Sequence, residues 1–208
     1  MNLAIKLIRR CVYGGILCML LSLGAQATAT AAEQTAVFAG GCFWGVDAVF
    51  KHVKGVSKVV SGYAGGSADT ATYKQVSNGG TGHAEAVRVR FNPQQVSYQQ
   101  LLQVFFRAAH DPTQRNRQGP DEGSQYRSAI FYMNTEQLKI AQDTIRQLDA
   151  AHAFSGPIVT QVVALPEFYP AEEYHQNFYA LHRYMGYIIA NDVPKLKRLH
   201  KQFPALYQ

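Results

Sequence analysis

The stretch AVFAGGCFWGVDAVF, Ala36 to Phe50, constrains this chain more than any other. A short apolar run reads as a strand and ends in two glycines. A helical pattern follows at once, with apolar residues at Phe43, Val46, Val49, Phe50 and Val53. A strand thus passes into a helix across a Gly turn, and Cys42 stands at the junction. The rest of the chain keeps alternating. VSKVVSGYAGG reads as a second strand ending in a turn, and SADTATYKQVSNGGTGH as a polar loop. Residues Ala84 to Phe91 alternate cleanly as a strand, which Asn92-Pro93 stops. SYQQLLQVFFRAAH is a predicted helix with Ser97 as N-cap. HDPTQRNRQGPDEGSQYRS has no periodicity, and loops of that length in compact domains are usually functional or disordered. AIFYM is a strand, and NTEQLKIAQDTIRQLDAA an amphipathic helix capped by Asn134 or Thr135. PIVTQVVAL is a strand, and AEEYHQNFYALHRYM reads as a helix. The expected class is α+β: a two-layer α/β sandwich with a mixed sheet, the Cys at a helix N-terminus after the first strand. Periodicity does not give the strand order.

The first residues differ from the rest. Lys6, Arg9 and Arg10 precede an apolar stretch, Val12 to Leu23, and then small residues. This is the order of a secretory signal peptide. The expected signal covers residues 1–27, with cleavage anywhere in 27–32, and residues 33–208 form a single domain. The stretch falls short of the about 20 residues of a membrane span, so an anchored form is the weaker reading. Export to the periplasm follows. Removal takes away three cations and no anion, so the formal charge falls from +6 to +3. That excess does not argue for nucleic-acid binding. Cys11 and Cys18 leave as well, so Cys42 has no internal partner. In an oxidising compartment a lone thiol is either buried and inert or kept for its reactivity.

A helix N-terminus favours a thiolate and so makes a nucleophile of Cys42. Gly40 and Gly41 let the chain turn tightly and leave the sulfur accessible. Three further segments offer partners: Glu85 at a strand start, Tyr73 in TYKQV, and Asp121, Gln125, Tyr126 and Arg127 in the long loop. Each is open to a plain structural role. His83-Ala84-Glu85 matches half of a zinc deaminase motif, but no P-C-x-x-C follows, and a metal site is not expected. A cysteine peptidase would pair the thiol with a histidine; His110 and His175 are available, and composition leaves that open.

Five segments in register settle on one resemblance: GGCFWG, GYAGG, TYKQVSNGGTGHAEAVRV, HDPTQRNRQGPDEGSQYRSAI and FYPAEEYHQNFY. Over about residues 35–185 the chain resembles the A-type peptide methionine sulfoxide reductases. The resemblance implies a two-layer α+β domain that reduces the S epimer of methionine sulfoxide, free or in proteins. It implies that Cys42 attacks sulfur and that Glu85 is the acid. Tyr73 and Tyr126 would hydrogen-bond the sulfoxide oxygen, and Asp121 would order the pocket and its water. Phe43 and Trp44 would form the apolar slot for the S-methyl group. The product on the enzyme would be Cys42 sulfenic acid. Many members resolve it with C-terminal cysteines, but Met185 to Gln208 contains none. The expected partner is therefore an external thiol reductant, a thioredoxin- or glutaredoxin-like protein or a small dithiol. No bound cofactor, no nucleic acid and a monomer are expected. Two other readings are a single-cysteine thiol peroxidase and a non-catalytic module that binds Met-rich or oxidised peptides.

Overall fold

The computed structural model describes residues 32–208; the segment read as a signal peptide lies outside the described residues. β1 (Gln34–Gly40) leads into α1 (Phe43–Lys51) across Gly41 and Cys42, as the sequence predicts. β2 (Val56–Ala64) pairs antiparallel with β3 (Ala84–Phe91), which sets Tyr63 opposite Glu85. The expected polar loop between them carries a 3-10 turn (Ala68–Thr70) and one helical turn, α2 (Tyr73–Val76). α3 (Tyr98–Val104) begins at Ser97. The Ser97 hydroxyl accepts from the Gln100 N–H at 3.2 Å, and the Gln100 side chain accepts from the Ser97 N–H at 2.8 Å. This reciprocal cap satisfies two donors that a helix start leaves free.

The aperiodic segment is ordered by a small hairpin, β4 (Arg117–Gln118) against β5 (Asp121–Glu122), and a 3-10 turn, Ser124–Tyr126. Then come β6 (Ser128–Tyr132), α4 (Thr135–Ala150), β7 (Gln161–Ala164) and β8 (Phe168–Pro170). Asn134 caps α4 by accepting from the Gln137 N–H at 2.8 Å. α5 (Phe178–Leu181), a π-helical turn (Ile188–Asp192) and α6 (Val193–Gln202) end the chain.

The strand order is β7-β6-β1-β3-β2-β8. Every pair is antiparallel except β6 with β7, so the sheet is mixed as expected. Strand alternation sorts the two faces. Phe38, Val87, Val89, Phe91 and Ile130 join Val46, Val49, Phe50, Leu101, Leu102 and Phe105 in the large core against the helices. Val37, Ala39, Ala64, Ala84, Ala86, Ala129 and Phe131 form a smaller core on the other face, covered by Phe168.

One predicted helix is broken. The segment read as helical from Ala171 to Met185 is a 3-10 turn (Glu173–His175), then Asn177 at φ +57°, then the single turn of α5. Tertiary bonds outcompete the helix here. The Gln176 side chain accepts from the Ser61 N–H at 3.0 Å and donates to the Ser61 and Ala171 carbonyls, both at 3.0 Å.

Candidate active site

The turn before α1 admits nothing larger than glycine. A Cβ at Gly40 would meet the His110 ring at 3.0 Å, and Gly41 has φ +87° with Gln118 2.5 Å from where its Cβ would sit. A residue with a Cβ is strained at that φ and clashes as well. The turn sets Cys42 as N-cap of α1, 7% exposed.

Glu85 sits at the start of β3 with its side chain on the face of Val87 and Val89. It is therefore a carboxyl on the core side of a strand, 2% exposed. Its Oε2 accepts from the Phe43 N–H, the amide next to Cys42, at 3.0 Å. Burial pushes its pKa up to about 8; the Phe43 N–H pulls it down and nearby Asp121 adds to the rise. At neutral pH the carboxyl keeps its proton.

The expected thiolate is corrected by the same burial. The Cys42 thiol is pushed well above its ordinary range, by loss of water first and then by the charges of Glu85 and Asp192. Lys195 and the Trp44 N–H pull the other way. A helix terminus is worth about 0.3–1 kcal/mol, under one pKa unit, whereas full burial moves a group by up to about 3–5 units. The resting cysteine is a thiol, and the first amide of α1 serves Glu85 instead.

The other candidates converge on this pair. The Tyr73 phenol is within electrostatic range of Glu85, Cys42 and Asp121, and the Tyr126 phenol of Glu85, Asp121 and Cys42. Burial raises the pKa of both phenols, so both are donors. Asp121 at the start of β5 accepts from the Tyr187 hydroxyl. Phe43 is fully buried against Tyr63 and His175. Trp44 is half-buried, stacked on Phe178 at 3.6 Å and edge-on to Tyr187 at 5.9 Å. The Phe43 and Trp44 rings lie 6.5 Å apart, tilted by 39°.

The histidines are otherwise employed. His110 has Nδ1 on the Phe105 carbonyl and Nε2 on Ser128, and burial lowers its pKa to about 4. His175 accepts from Trp44 Nε1 at 3.1 Å. His83 accepts from the Gly66 N–H and bonds the Ser67 carbonyl, which closes a turn. None pairs with Cys42 in the manner of a peptidase. No cluster of three metal-ligating side chains occurs among the described residues.

Comparison with known proteins places the chain. The peptide methionine sulfoxide reductase family model matches residues 34–206. The chain belongs to the peptide methionine sulfoxide reductase family. It is 57% identical to peptide methionine sulfoxide reductase MsrA 2 of Mesorhizobium japonicum, over 84% of this chain and 90% of the relative. The reduced form of Mxr1 from Saccharomyces cerevisiae superposes with a TM-score of 0.69 at 32% identity, over 73% of this chain and 87% of that one. Mxr1 in complex with Trx2 matches at a TM-score of 0.50 and 25% identity, over 70% and 84%.

This reductase is thus an oxidoreductase with the α+β fold of its solved relatives. Its site also holds residues that sequence reasoning missed. Glu172 accepts from the Tyr73 N–H at 2.9 Å and from the Tyr63 hydroxyl at 2.8 Å, which fixes α2 beside the sheet. Arg127, one of the candidates in the long loop, serves the frame: it donates to the carbonyls of Gly82, His83 and Ser124 and so staples the Glu85 loop to the Tyr126 loop. Tyr187, Asp192 and Lys195 come from the C-terminal segment. No local pattern marks them; an i, i+3 Asp–Lys pair is ordinarily a solvated one.

Proposed function

We propose that this reductase converts the S epimer of methionine sulfoxide, free or in proteins, to methionine, with Cys42 as the nucleophile. The observation that carries the reading is the buried Glu85 carboxyl, bonded to the amide that follows Cys42, where loss of water raises its pKa to about 8. A sulfoxide oxygen is a poor leaving group until it gains a proton. Glu85 supplies that proton as Cys42 attacks sulfur, and the carboxylate so formed takes the thiol proton. The balance is one Cys42 thiol plus one sulfoxide giving one Cys42 sulfenic acid plus one thioether. The oxygen passes to the cysteine, which is oxidised, and the substrate sulfur is reduced. Tyr73 and Tyr126 donate to the oxygen as charge builds there. The Phe43 and Trp44 rings take the S-methyl group, and a slot that fixes methyl and oxygen together selects one epimer. Asp121, held by Tyr187, orders the far side of the pocket.

Cys42 is the one cysteine among the described residues, so the sulfenic acid is reduced by an external thiol. The complex of yeast Mxr1 with Trx2 supports a thioredoxin-type donor; a glutaredoxin-like protein or a small dithiol would serve the same chemistry. We further propose that residues 1–27 direct export to the periplasm, where residues 33–208 act as a monomeric domain repairing exported proteins.

The test is turnover on the two separated sulfoxide epimers with dithiothreitol. Turnover of S alone is expected. Activity with hydrogen peroxide but neither epimer would mean a thiol peroxidase. Binding of oxidised peptides without any sulfenic acid would mean a binding module.

A further inference from the structure

Asp192 and Lys195 form the most deeply buried ion pair among the described residues. Lys195 Nζ donates to Asp192 Oδ1 at 3.1 Å, and their side chains are 8% and 0% exposed, lysine first. The pair lies on the first turn of α1. A Cβ at Gly45 would overlap Asp192 Oδ1 and stand 2.5 Å from Lys195 Nζ. The glycine is what admits both charges to the turn that Cys42 caps. Burying such a pair commonly costs more in lost hydration than the mutual attraction returns, so stability gives no reason to keep it there. The second oxygen, Asp192 Oδ2, is buried without a partner among the described residues.

We propose that Lys195 is a positioning residue for the reductase reaction: held by Asp192 against Gly45, its ammonium is the fixed positive charge that stabilises Cys42 while its sulfur is an anion. This deepens the proposed function and rests on it. The sulfur carries negative charge twice in the cycle. It does so first as it attacks the sulfoxide. It does so again at reduction. There the Cys42 sulfenic acid and one external thiol give a mixed disulfide and water. A second external thiol then attacks the donor sulfur, leaves as the donor disulfide and releases Cys42, which takes up the proton. The two charges act in opposition, Asp192 opposing the anion with the larger influence and Lys195 offsetting part of it. The other ionisable groups facing Cys42 are Glu85 from β3, Tyr73 from α2, Tyr126 from the turn after β5 and Tyr187 from the C-terminal segment; all are acids, so Lys195 is the cation of the set. His110, beside Lys195, is kept neutral by its burial.

The test reads the cysteine without any sulfoxide. Reduced full-length protein is alkylated with iodoacetamide across a pH series, and the Cys42 peptide is quantified by mass spectrometry. Lys195→Met should move the midpoint upward and slow alkylation at pH 8 roughly tenfold, the size of a one-unit change from a partly screened buried charge. Asp192→Asn should move it downward and speed alkylation by a similar factor, and Lys195→Arg should leave it in place. Circular dichroism checks that each variant is folded; if Lys195→Met is not, Asp192→Asn decides alone. Unmoved midpoints in folded variants, or both single variants shifting the same way, would overturn the proposal. Failure of the wild-type protein to reduce either epimer would remove the proposed function and leave these midpoints standing.

Discussion

Replacing Glu85 by glutamine tests the site most sharply, because it changes one proton and little shape. The folded carboxyl holds its proton up to about pH 8, the unfolded one only to about 4.5. At pH 7 most molecules carry the proton that the sulfoxide oxygen needs. The wild-type kcat/KM should therefore be flat below pH 7 and fall about tenfold per pH unit above about 8. In Glu85→Gln the rate at pH 7 should drop by roughly 10²–10⁴, the usual worth of a positioned acid. Its pH dependence should also reverse, rising with pH, since only formation of the Cys42 thiolate then matters. The same proton appears in stability. Between pH 4.5 and about 8 the folded state binds a proton that the unfolded chain has lost, so wild-type stability declines across that window by up to about 5 kcal/mol and is level above it. The glutamine variant lacks that slope and should be the more stable protein at pH 9. Initial rates on the S epimer with dithiothreitol, and urea unfolding at pH 5, 7 and 9, measure both effects. A variant whose descending alkaline limb matches the wild type would refute Glu85 as the acid. Parallel stability curves would refute its raised pKa.

Cys42→Ser should abolish turnover and keep the native circular dichroism spectrum, because a serine hydroxyl is too weakly acidic to replace the sulfur. Given excess sulfoxide and no reductant, the protein should release about one methionine per molecule and stop, with Cys42 labelled by dimedone; two methionines per molecule would require a second participating thiol. Gly45→Ala should cost roughly 1–3 kcal/mol in thermal or urea unfolding, since its methyl would overlap the Asp192–Lys195 pair, and an unchanged midpoint would show that the segment can retreat. Trp44→Ala should raise KM for the S epimer and weaken discrimination against the R epimer, measured with the separated epimers; an unaltered epimer ratio would remove Trp44 from the slot.

The sequence by itself carried the local grammar. Two glycines after an apolar run and a 3.6-residue period from Phe43 were enough to set Cys42 at the start of a helix. Ser97 and Asn134 announced their helices, because caps are short-range bonds. The alternation from Ala84 to Phe91 marked a strand with Glu85 near its start, and left open whether that carboxyl lay at the surface; packing turned it inward with Val87 and Val89. Tertiary structure decided what depends on residues distant in the chain. The protonation of Cys42 and Glu85 follows from how completely other elements cover them, and burial reversed the thiolate that the helix terminus alone would favour. The segment after Ala171 has helical spacing, yet Gln176 bonds to Ser61 and Phe178 stacks on Trp44, contacts that a continuous helix could not make. Tyr187, Asp192 and Lys195 reach the site only because α6 packs where Gly45 leaves room, and a buried charge pair looks, in sequence, like any solvated one.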